Sequence, residues 1–300
     1  MAVPPALAAS VVGYNGDDGR RWLAGLPGTV AGLARRWSLT IGEPFPPGTC
    51  ALVVRAQRGE TRLVLKVPFV DDETRSEPDA LRLWAGDGAV RLLDDDPATG
   101  ALLLEHLAPG TPLADEPDRD AAVVVACDLA RRLRRVAPAG HRFPAAAELG
   151  RRWAGELPDR WVAAGRPVAV DVIDRAVAAA GRVALVAAGE AVVVVNRDLH
   201  LGNVLAAERE PWLVIDPKPL VGEPAFDAGH LVGDAVADDP TPRRVSRLVA
   251  LVADGLGADE GRVRDWALVR ALEMALDPEA VGEPADGRRR LAEVLAGQAG

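Results

Sequence analysis

The chain has 300 residues, of which 49% are hydrophobic and 26% are charged, with a formal net charge of −9. This composition is typical of a folded globular protein with enough apolar material for one large or two modest domains. The acidic balance disfavours nucleic acid as a partner, because binding phosphates requires a basic surface. No apolar run is long enough to span a membrane, the N-terminus lacks the basic start of a signal peptide, and two cysteines make no disulfide framework. We therefore expect a cytoplasmic protein with no membrane partner.

The first part of the chain predicts a small lobe of antiparallel strands with one or two helices. Apolar residues recur there first at helical spacing and then in short strand-like runs separated by turn residues. The predicted elements are a helix over Arg20–Trp37, a β-hairpin of Ala51–Ala56 and Thr61–Val67, a helix over Glu73–Gly86, and strands at Val90–Leu93 and Ala101–Leu104.

A stretch rich in proline and acidic residues, 107–118, is predicted to be a linker between a lobe of residues 1–106 and a lobe of residues 119–300. The second lobe is predicted to be mainly helical, with two strands near its middle, so the fold class is α+β. Its predicted helices are Arg119–Val136, Ala145–Ala164, Val168–Ala188, Arg243–Leu256, Gly261–Leu276 and Gly287–Ala296. Its predicted strands are Ala191–Val195 and Trp212–Ile215.

These two strands deliver oxygen-bearing side chains from the loops that follow them. Asp198 and Asn203 follow the first strand in the spacing D-L-x-x-x-N, and Asp216 follows the second. The arrangement resembles the protein-kinase pattern H-R-D-L-x-x-x-N with a later D-F-G. In that pattern the first Asp accepts the proton of the substrate hydroxyl, and the Asn and the second Asp hold magnesium on the nucleotide phosphates. The same roles are predicted here for Asp198, Asn203 and Asp216, with ATP and Mg2+ required.

The two lysines are further candidates, because only Lys66 and Lys218 are lysine among the 35 basic residues. An ammonium group can sit as a point charge between phosphate oxygens, which a planar guanidinium does less well. Lys66 lies in a predicted strand, and we expect it to bind the phosphates with an acidic partner. Glu77 is the first candidate for that partner, and Asp79 and Glu73 are alternatives.

Glu105, Leu107 and His200 are further candidate residues. The segment from Glu105 to Leu107 follows the last strand of the small lobe, where the backbone of a two-lobed kinase hydrogen-bonds adenine. His200 is interpreted as a structural residue of the Asp198 loop. A zinc site is not supported, because no H-x-x-x-H pair is present.

Taken together, the motifs resemble the aminoglycoside phosphotransferase superfamily, and within it the streptomycin 6-phosphotransferases and hydroxyurea phosphotransferases. The resemblance covers most of the chain and is carried by GDDGRRWLAGLPGTVAGLARRW, LRLWAGDGAVRLLDDD and DLHLGNVLAAEREPWLVIDPKPLVGEPAFD. It implies a bilobal protein-kinase-like fold and transfer of the γ-phosphoryl of ATP to a hydroxyl of a small molecule. It also implies that Asp227 supports the loop that carries Asp198.

One departure from the superfamily is that Asn196-Arg197 replaces the usual His-Gly before the catalytic Asp. Arg197 is positioned either to neutralise the transferred phosphate or to bind carboxylates and hold the loop. The change also leaves open a different acceptor or a nucleotide-binding pseudokinase.

The leading acceptor is a cationic aminoglycoside such as streptomycin, and hydroxyurea or a metabolite alcohol is the alternative. Acidic side chains attract a cationic ligand, and an aromatic ring can form a wall beside it. The candidates for these contacts are Glu223, Asp227, Asp234, Asp238, Glu273 and Trp266. We expect a monomer or a weak dimer.

Overall fold

The computed structural model describes residues 3–46, 48–185, 192–236, 238–277 and 285–297. Ala191, at the start of a predicted strand, and residues 186–188, at the end of a predicted helix, lie outside the described residues. The chain divides into two compact units, Met1–Ala108 and Pro109–Gly300. In the described ranges, helices of membrane-spanning length and hydropathy are not found.

The first unit begins with a long helix, α1 (Pro5–Arg36), which is interrupted at Gly16. Gly16 has φ 51° and ψ −124°, a conformation that residues with a side chain rarely adopt. Because α1 begins at Pro5, the helix starts earlier than the predicted Arg20. Asp17 and Asp18 follow the interruption and form ion pairs with Arg20 and Arg21, three residues further on.

Five strands form an antiparallel sheet in this unit, in the order β1-β2-β3-β5-β4. The predicted hairpin is confirmed, since β2 pairs with β3 from Ala51↔Pro68 to Arg58↔Thr61. A short helix, α2, follows β3. The bounds are β1 Thr40–Pro44, β2 Ala51–Arg58, β3 Thr61–Pro68, α2 Glu77–Trp84, β4 Leu92–Asp96 and β5 Ala101–Glu105.

The core of the first unit lies on one face of this sheet and includes the buried face of α1. Strand β3 contributes Leu63, Leu65 and Val67 to it. Because side chains alternate between the two faces of a strand, Lys66 points to the opposite face. Its cross-strand neighbours are Val53 and Leu102, so the lysine sits on a central strand.

The second unit is mainly helical, with a three-stranded sheet in the order β6-β8-β9 and a two-stranded sheet of β10 and β7. The predicted α+β fold class is thus confirmed. The helices are α3 Arg119–Leu133, α4 Ala146–Ala163, α5 Val170–Val183, α6 Ala228–Val236, α7 Pro242–Leu256, α8 Glu260–Ala275 and α9 Ala285–Gly297. The strands are β6 Pro109–Pro112, β7 Val193–Asn196, β8 Val204–Ala207, β9 Trp212–Val214 and β10 Pro219–Gly222.

The predicted linker 107–118 contains regular structure. Strand β6 pairs with β8 and is followed by a 3₁₀ turn, Leu113–Asp115. Prolines at both ends of β6 obscured the strand in the sequence, and its partner lies almost a hundred residues further along the chain. Proline is tolerated on such an edge strand, because one side of the strand needs no hydrogen-bond donor.

Candidate active site

In the first unit, Lys66 and Glu77 form a buried ion pair. The Lys66 Nζ atom lies 2.7 and 2.6 Å from the two carboxylate oxygens of Glu77, and the side chains are 4% and 1% exposed. Strand β3 directs the lysine away from the α1 core, and the first turn of α2 supplies the glutamate. Glu77, the first candidate from the sequence, is thus paired with Lys66.

In the second unit, the turn between β7 and β8, residues 196–203, is held in place by Asn196; we call it the Asp198 loop. The Asn196 Oδ1 atom accepts hydrogen bonds from the backbone N–H groups of Asp198, at 3.1 Å, and of Lys218, at 2.9 Å. The backbone N–H of Arg197 donates to the carbonyl of Lys218 at 2.9 Å. Asn196 therefore joins the loop to the segment before β10.

Asn203 and Asp216 are brought to neighbouring positions by the pairing of β8 with β9. The backbone N–H of Ile215 donates to the carbonyl of Asn203 at 2.9 Å, so Asp216 follows immediately. The Nδ2 atom of Asn203 lies 3.1 Å from the Asp198 carbonyl and 3.4 Å from its Oδ2, which turns the amide oxygen away from Asp198. An amide oxygen and a carboxylate are hard donors of the type that Mg2+ prefers, so the residues present fit this ion.

Asp216 has a φ of +49°, in the left-handed region. This conformation costs a non-glycine residue about 1–2 kcal/mol, although Asp tolerates it better than most. Strain of this kind is concentrated at functional sites, where the surrounding structure maintains it. The left-handed conformation of Asp216 agrees with its predicted role.

Asp198 is ionised in spite of its burial. Burial alone raises the pKa of this carboxyl group, but the cationic groups around it, with Lys218 first and Arg270 among them, outweigh burial and hold the pKa well below its usual range. The Lys218 Nζ atom lies 3.2 Å from Asp198 Oδ2. A carboxylate that stays charged is able to accept a proton.

Asp227 lies behind the Asp198 loop and is 3% exposed. Its Oδ1 atom accepts a hydrogen bond from the backbone N–H of Asn196 at 2.8 Å. Burial raises the pKa of Asp227 to about 7, opposed by that hydrogen bond and by the charge of Arg134. Asp227 is thus placed to support the loop, as the resemblance implied, and not to contact a solvent-exposed acceptor.

Two of the other acidic residues predicted to bind a cationic acceptor, Glu223 and Glu273, have internal partners. Glu223 receives hydrogen bonds from Arg262 and, at 2.7 Å, from the indole of Trp266, which is 1% exposed and belongs to the core. Glu273 is buried beside the guanidinium groups of Arg270, Arg160 and Arg197. The sequence could not show most of these pairings, because Arg262, Arg160 and Arg197 lie on other elements than the glutamates they contact. Arg270 contacts Glu273 across one turn of their common helix.

Two more of these acids differ in their exposure. Asp234 accepts a hydrogen bond from the backbone N–H of Leu201 at 3.0 Å and so fixes the 3₁₀ turn in the Asp198 loop. Asp238 is exposed shortly after the end of α6.

Arg197 is mostly buried, with its guanidinium 5.9 Å from the ring of Trp153 and 3.9 Å from Glu273. This favours the second sequence interpretation of Arg197, in which it binds a carboxylate and holds the loop.

The remaining predicted site residues have local roles. In Glu105, the Oε1 atom accepts a hydrogen bond from the backbone N–H of Arg91 at 2.8 Å, which fixes the end of β5, and Leu107 lies half-buried two residues beyond. His200 accepts a hydrogen bond at Nδ1 from the backbone N–H of Gly202 at 3.1 Å. The interpretation of His200 as a structural loop residue agrees with this contact.

Sequence reasoning missed two residues beside Asp198, namely His230 on α6 and Arg270 on α8. The His230 Nε2 atom lies 3.6 Å from Asp198 Oδ1, and Arg270 contacts the same nitrogen. His230 stands alone in an apolar helix, and Arg270 is one of many arginines. Neither had a spacing signal that linked it to Asp198.

Comparison with known proteins agrees with the resemblance seen in the motifs. A family model described as "Aminoglycoside/hydroxyurea antibiotic resistance kinase" matches residues 36–282. A hydroxyurea phosphotransferase from Kitasatospora aureofaciens is 41% identical over 310 residues, covering 100% of this chain and 87% of that protein. A streptomycin 6-kinase from Streptomyces glaucescens is 39% identical over 296 residues, covering 95% of this chain and 94% of that protein.

Solved structures with much lower identity share the fold. Aminoglycoside phosphotransferase APH(4)-Ia is 13% identical with a TM-score of 0.62, covering 91% of this chain and 98% of that chain. Choline kinase LicA from Streptococcus pneumoniae is also 13% identical, with a TM-score of 0.59 and coverage of 90% and 99%. The sequence prediction of family and fold is confirmed. The chain belongs to the aminoglycoside/hydroxyurea antibiotic resistance kinase family.

Proposed function

We propose that this protein is a phosphotransferase that moves the γ-phosphoryl group of ATP to a hydroxyl group of a small molecule, in the cytoplasm. The observation that carries the proposal is the Asp198 loop, where an ionised carboxylate lies within 3.4 Å of the Asn203 amide and 3.2 Å of the Lys218 ammonium. Family membership supports the same reaction class. APH(4)-Ia, which shares the fold, has been solved with ADP and hygromycin B, and this supports a nucleotide as the phosphoryl donor.

In the proposed reaction, the acceptor hydroxyl oxygen forms a bond to the γ-phosphorus while the bond from that phosphorus to the β,γ-bridging oxygen breaks. ADP leaves, and the hydroxyl proton passes to the carboxylate of Asp198. Catalysis of this kind depends mainly on positioning and charge neutralisation. Asn196 and Asp227 hold the loop backbone, and Lys218 holds the carboxylate.

Two groups of residues are proposed to bind the nucleotide. Lys66, held by Glu77, binds the α- and β-phosphates, and the backbone between Glu105 and Leu107 binds the base. Asn203 and Asp216 would hold magnesium, which when bound neutralises negative charge on the phosphate oxygens. Support comes from the buried Lys66–Glu77 pair and from the neighbouring backbone positions of Asn203 and Asp216.

The acceptor is proposed to be streptomycin or a related aminoglycoside, since a relative that acts as streptomycin 6-kinase is 39% identical over nearly the whole chain. Hydroxyurea is the second candidate. It is favoured by the relative from Kitasatospora aureofaciens and by the internal pairing of Glu223 and Glu273, which leaves these carboxylates less able to attract a polycation.

An assay that couples ADP release to phosphate transfer tests both candidates. We expect Mg-dependent ADP release with streptomycin, and mass spectrometry should show one added phosphoryl group on the antibiotic. Turnover of hydroxyurea without turnover of streptomycin would replace the leading acceptor with the second. ATP binding with no transfer to any acceptor of a broad panel would instead support a pseudokinase.

A further inference from the structure

The contact between Arg270 and His230 determines which ring nitrogen of His230 can carry a proton. The Arg270 Nε and Nη2 atoms lie 3.2 and 2.8 Å from His230 Nε2. Arginine has five N–H donors and no acceptor, so His230 Nε2 must accept in this contact. This contact requires a neutral ring that carries its proton on Nδ1.

The same nitrogen faces the carboxylate of Asp198. His230 Nε2 lies 3.6 Å from Asp198 Oδ1, close enough for a charged pair if the ring were protonated there. A histidine in this position would ordinarily be expected to share a proton with the carboxylate. Arg270 occupies the nitrogen that would do so.

We propose that Arg270 is a positioning residue that keeps His230 Nε2 unprotonated, so that Asp198 has no proton-sharing partner where the two side chains meet. The proposal rests on the proposed function, in which Asp198 accepts the proton of the acceptor hydroxyl. An imidazolium beside Asp198 would hold the carboxylate in an ion pair and compete with that hydroxyl. The arrangement leaves Oδ1, the oxygen that faces His230, to the substrate, while Lys218 pairs with Oδ2.

Arg270 is itself held in place on two sides. Its Nη1 atom pairs with Glu273 on the same helix, and its guanidinium lies 5.9 Å from the ring of Trp153 on α4. Its side chain is 12% exposed. Because a guanidinium forms several hydrogen bonds in one plane, Arg270 can bind Glu273 and His230 together, which an ammonium does less well.

The charged and titratable groups that face His230 in the described structure come from three places. Asp198 and His200 belong to the Asp198 loop, Arg270 to α8 and Arg288 to α9. Burial is the largest influence and lowers the pKa of His230, and Arg270 is the next. Asp198 opposes them, and His200 and Arg288 add to the lowering, so the pKa stays well below its ordinary value.

Nitrogen NMR of the full chain labelled at histidine tests the proposal without requiring turnover. The chain has four histidines, and His230→Gln assigns the His230 signals. In the wild-type protein we expect His230 to stay neutral, with its proton on Nδ1, throughout a titration across the neutral pH range. In Arg270→Met we expect the titration midpoint of His230 to rise by about one pH unit or more, as is typical when a neighbouring cation is lost.

Kinetics then test the consequence for the reaction. Below the new midpoint, kcat of Arg270→Met should fall by roughly tenfold per pH unit relative to wild type. The double variant Arg270→Met with His230→Gln should not show this additional fall. Arg270→Lys should restore part of the wild-type profile, and Arg264→Met, on the same helix, serves as the control for removing a guanidinium.

The proposal is overturned if wild-type His230 carries its proton on Nε2, or if His230 titrates identically in wild type and Arg270→Met. If Arg270→Met does not fold, the wild-type tautomer and the Arg270→Lys titration decide. A chain that phosphorylates no acceptor would refute the proposed function, whereas the tautomer and titration of His230 would still be measured independently.

Discussion

Lys66 and Glu77 form an ion pair through both carboxylate oxygens, at 2.7 and 2.6 Å, with both side chains almost fully buried. Removing one member of such a pair leaves an uncompensated buried charge and lowers the unfolding free energy by about 3–5 kcal/mol. Replacing both members by apolar residues can be neutral or stabilising. The pair therefore allows stability to be separated from activity.

We predict that Lys66→Met lowers the unfolding free energy by about 3–5 kcal/mol, and that the double variant Lys66→Met with Glu77→Leu recovers most of this loss. Neither variant should transfer phosphate at a measurable rate. Chemical denaturation and the ADP-release assay measure the two effects. Arg62→Met, at an exposed position on the same strand, is the control. Substantial activity in the stable double variant would contradict the proposed role of Lys66.

Asp198→Ala should lower kcat by roughly 10²–10⁴-fold, because this is the usual contribution of a positioned general base. Nucleotide affinity should remain within a few-fold of wild type. Calorimetric titration with a non-hydrolysable ATP analogue checks the affinity, and steady-state kinetics check kcat. Near wild-type turnover would show that Asp198 is not the base.

Asn196→Ala should destabilise the Asp198 loop, because the N–H groups of Asp198 and Lys218 would lose their common acceptor. Each unsatisfied buried donor costs about 1–3 kcal/mol. We expect a lower thermal midpoint and a reduced kcat with a smaller change in KM for ATP. Asn15→Ala, which removes a single hydrogen bond to Val11, is the control. Equal losses in the two variants would argue against a bridging role for Asn196.

Asp227 should make stability depend on pH. Its pKa in the folded protein is raised to about 7, mainly by burial, so the folded state holds a proton that the unfolded chain has released above pH about 4. Stability from this group is therefore fully present below pH about 4 and is lost as pH rises to about 7. Asp227→Asn should remove that part of the slope.

Urea denaturation between pH 4.5 and 8 measures the Asp227 contribution as the difference between wild type and Asp227→Asn. Asp17→Asn, at an exposed position, should leave the slope unchanged. Identical slopes in wild type and Asp227→Asn would show that Asp227 does not titrate in this range.

Glu223→Gln should lower stability and leave KM for the acceptor nearly unchanged, since Glu223 bonds Arg262 and Trp266 inside the fold. Hydrogen bonds to a charged group contribute about 1.5–3 kcal/mol, and the amide weakens them. Thermal unfolding and acceptor KM are the two measurements. A large rise in KM without a loss of stability would restore Glu223 as an acceptor ligand.

Local patterns were sufficient for the parts of the protein that depend on neighbours in sequence. Alternating apolar residues in 51–67 indicated the hairpin of β2 and β3. The spacing of Asp198, Asn203 and Asp216 indicated three oxygen donors on two loops, and the rarity of lysine drew attention to Lys66. Strand β6 was missed, because its partner β8 is distant in the chain and no local pattern reports such pairing.

The acidic residues show why composition was a poor guide to the acceptor. A carboxylate that is already paired with an internal cation attracts a cationic ligand less strongly. Glu273 lies beside three guanidinium groups, drawn from α4, the Asp198 loop and its own helix. Two of these residues are far from Glu273 in the chain.

The sequence by itself determined the family, the α+β fold class, and the residue types proposed for phosphoryl transfer, because these depend on motifs and spacing within short segments. Only the tertiary structure decided that Glu77 pairs with Lys66, that Asn196 holds the loop, and that Arg270 contacts His230 beside Asp198. The physical reason is that charge, burial and hydrogen-bond direction act across space, between helices and strands whose order along the chain does not reveal their contacts.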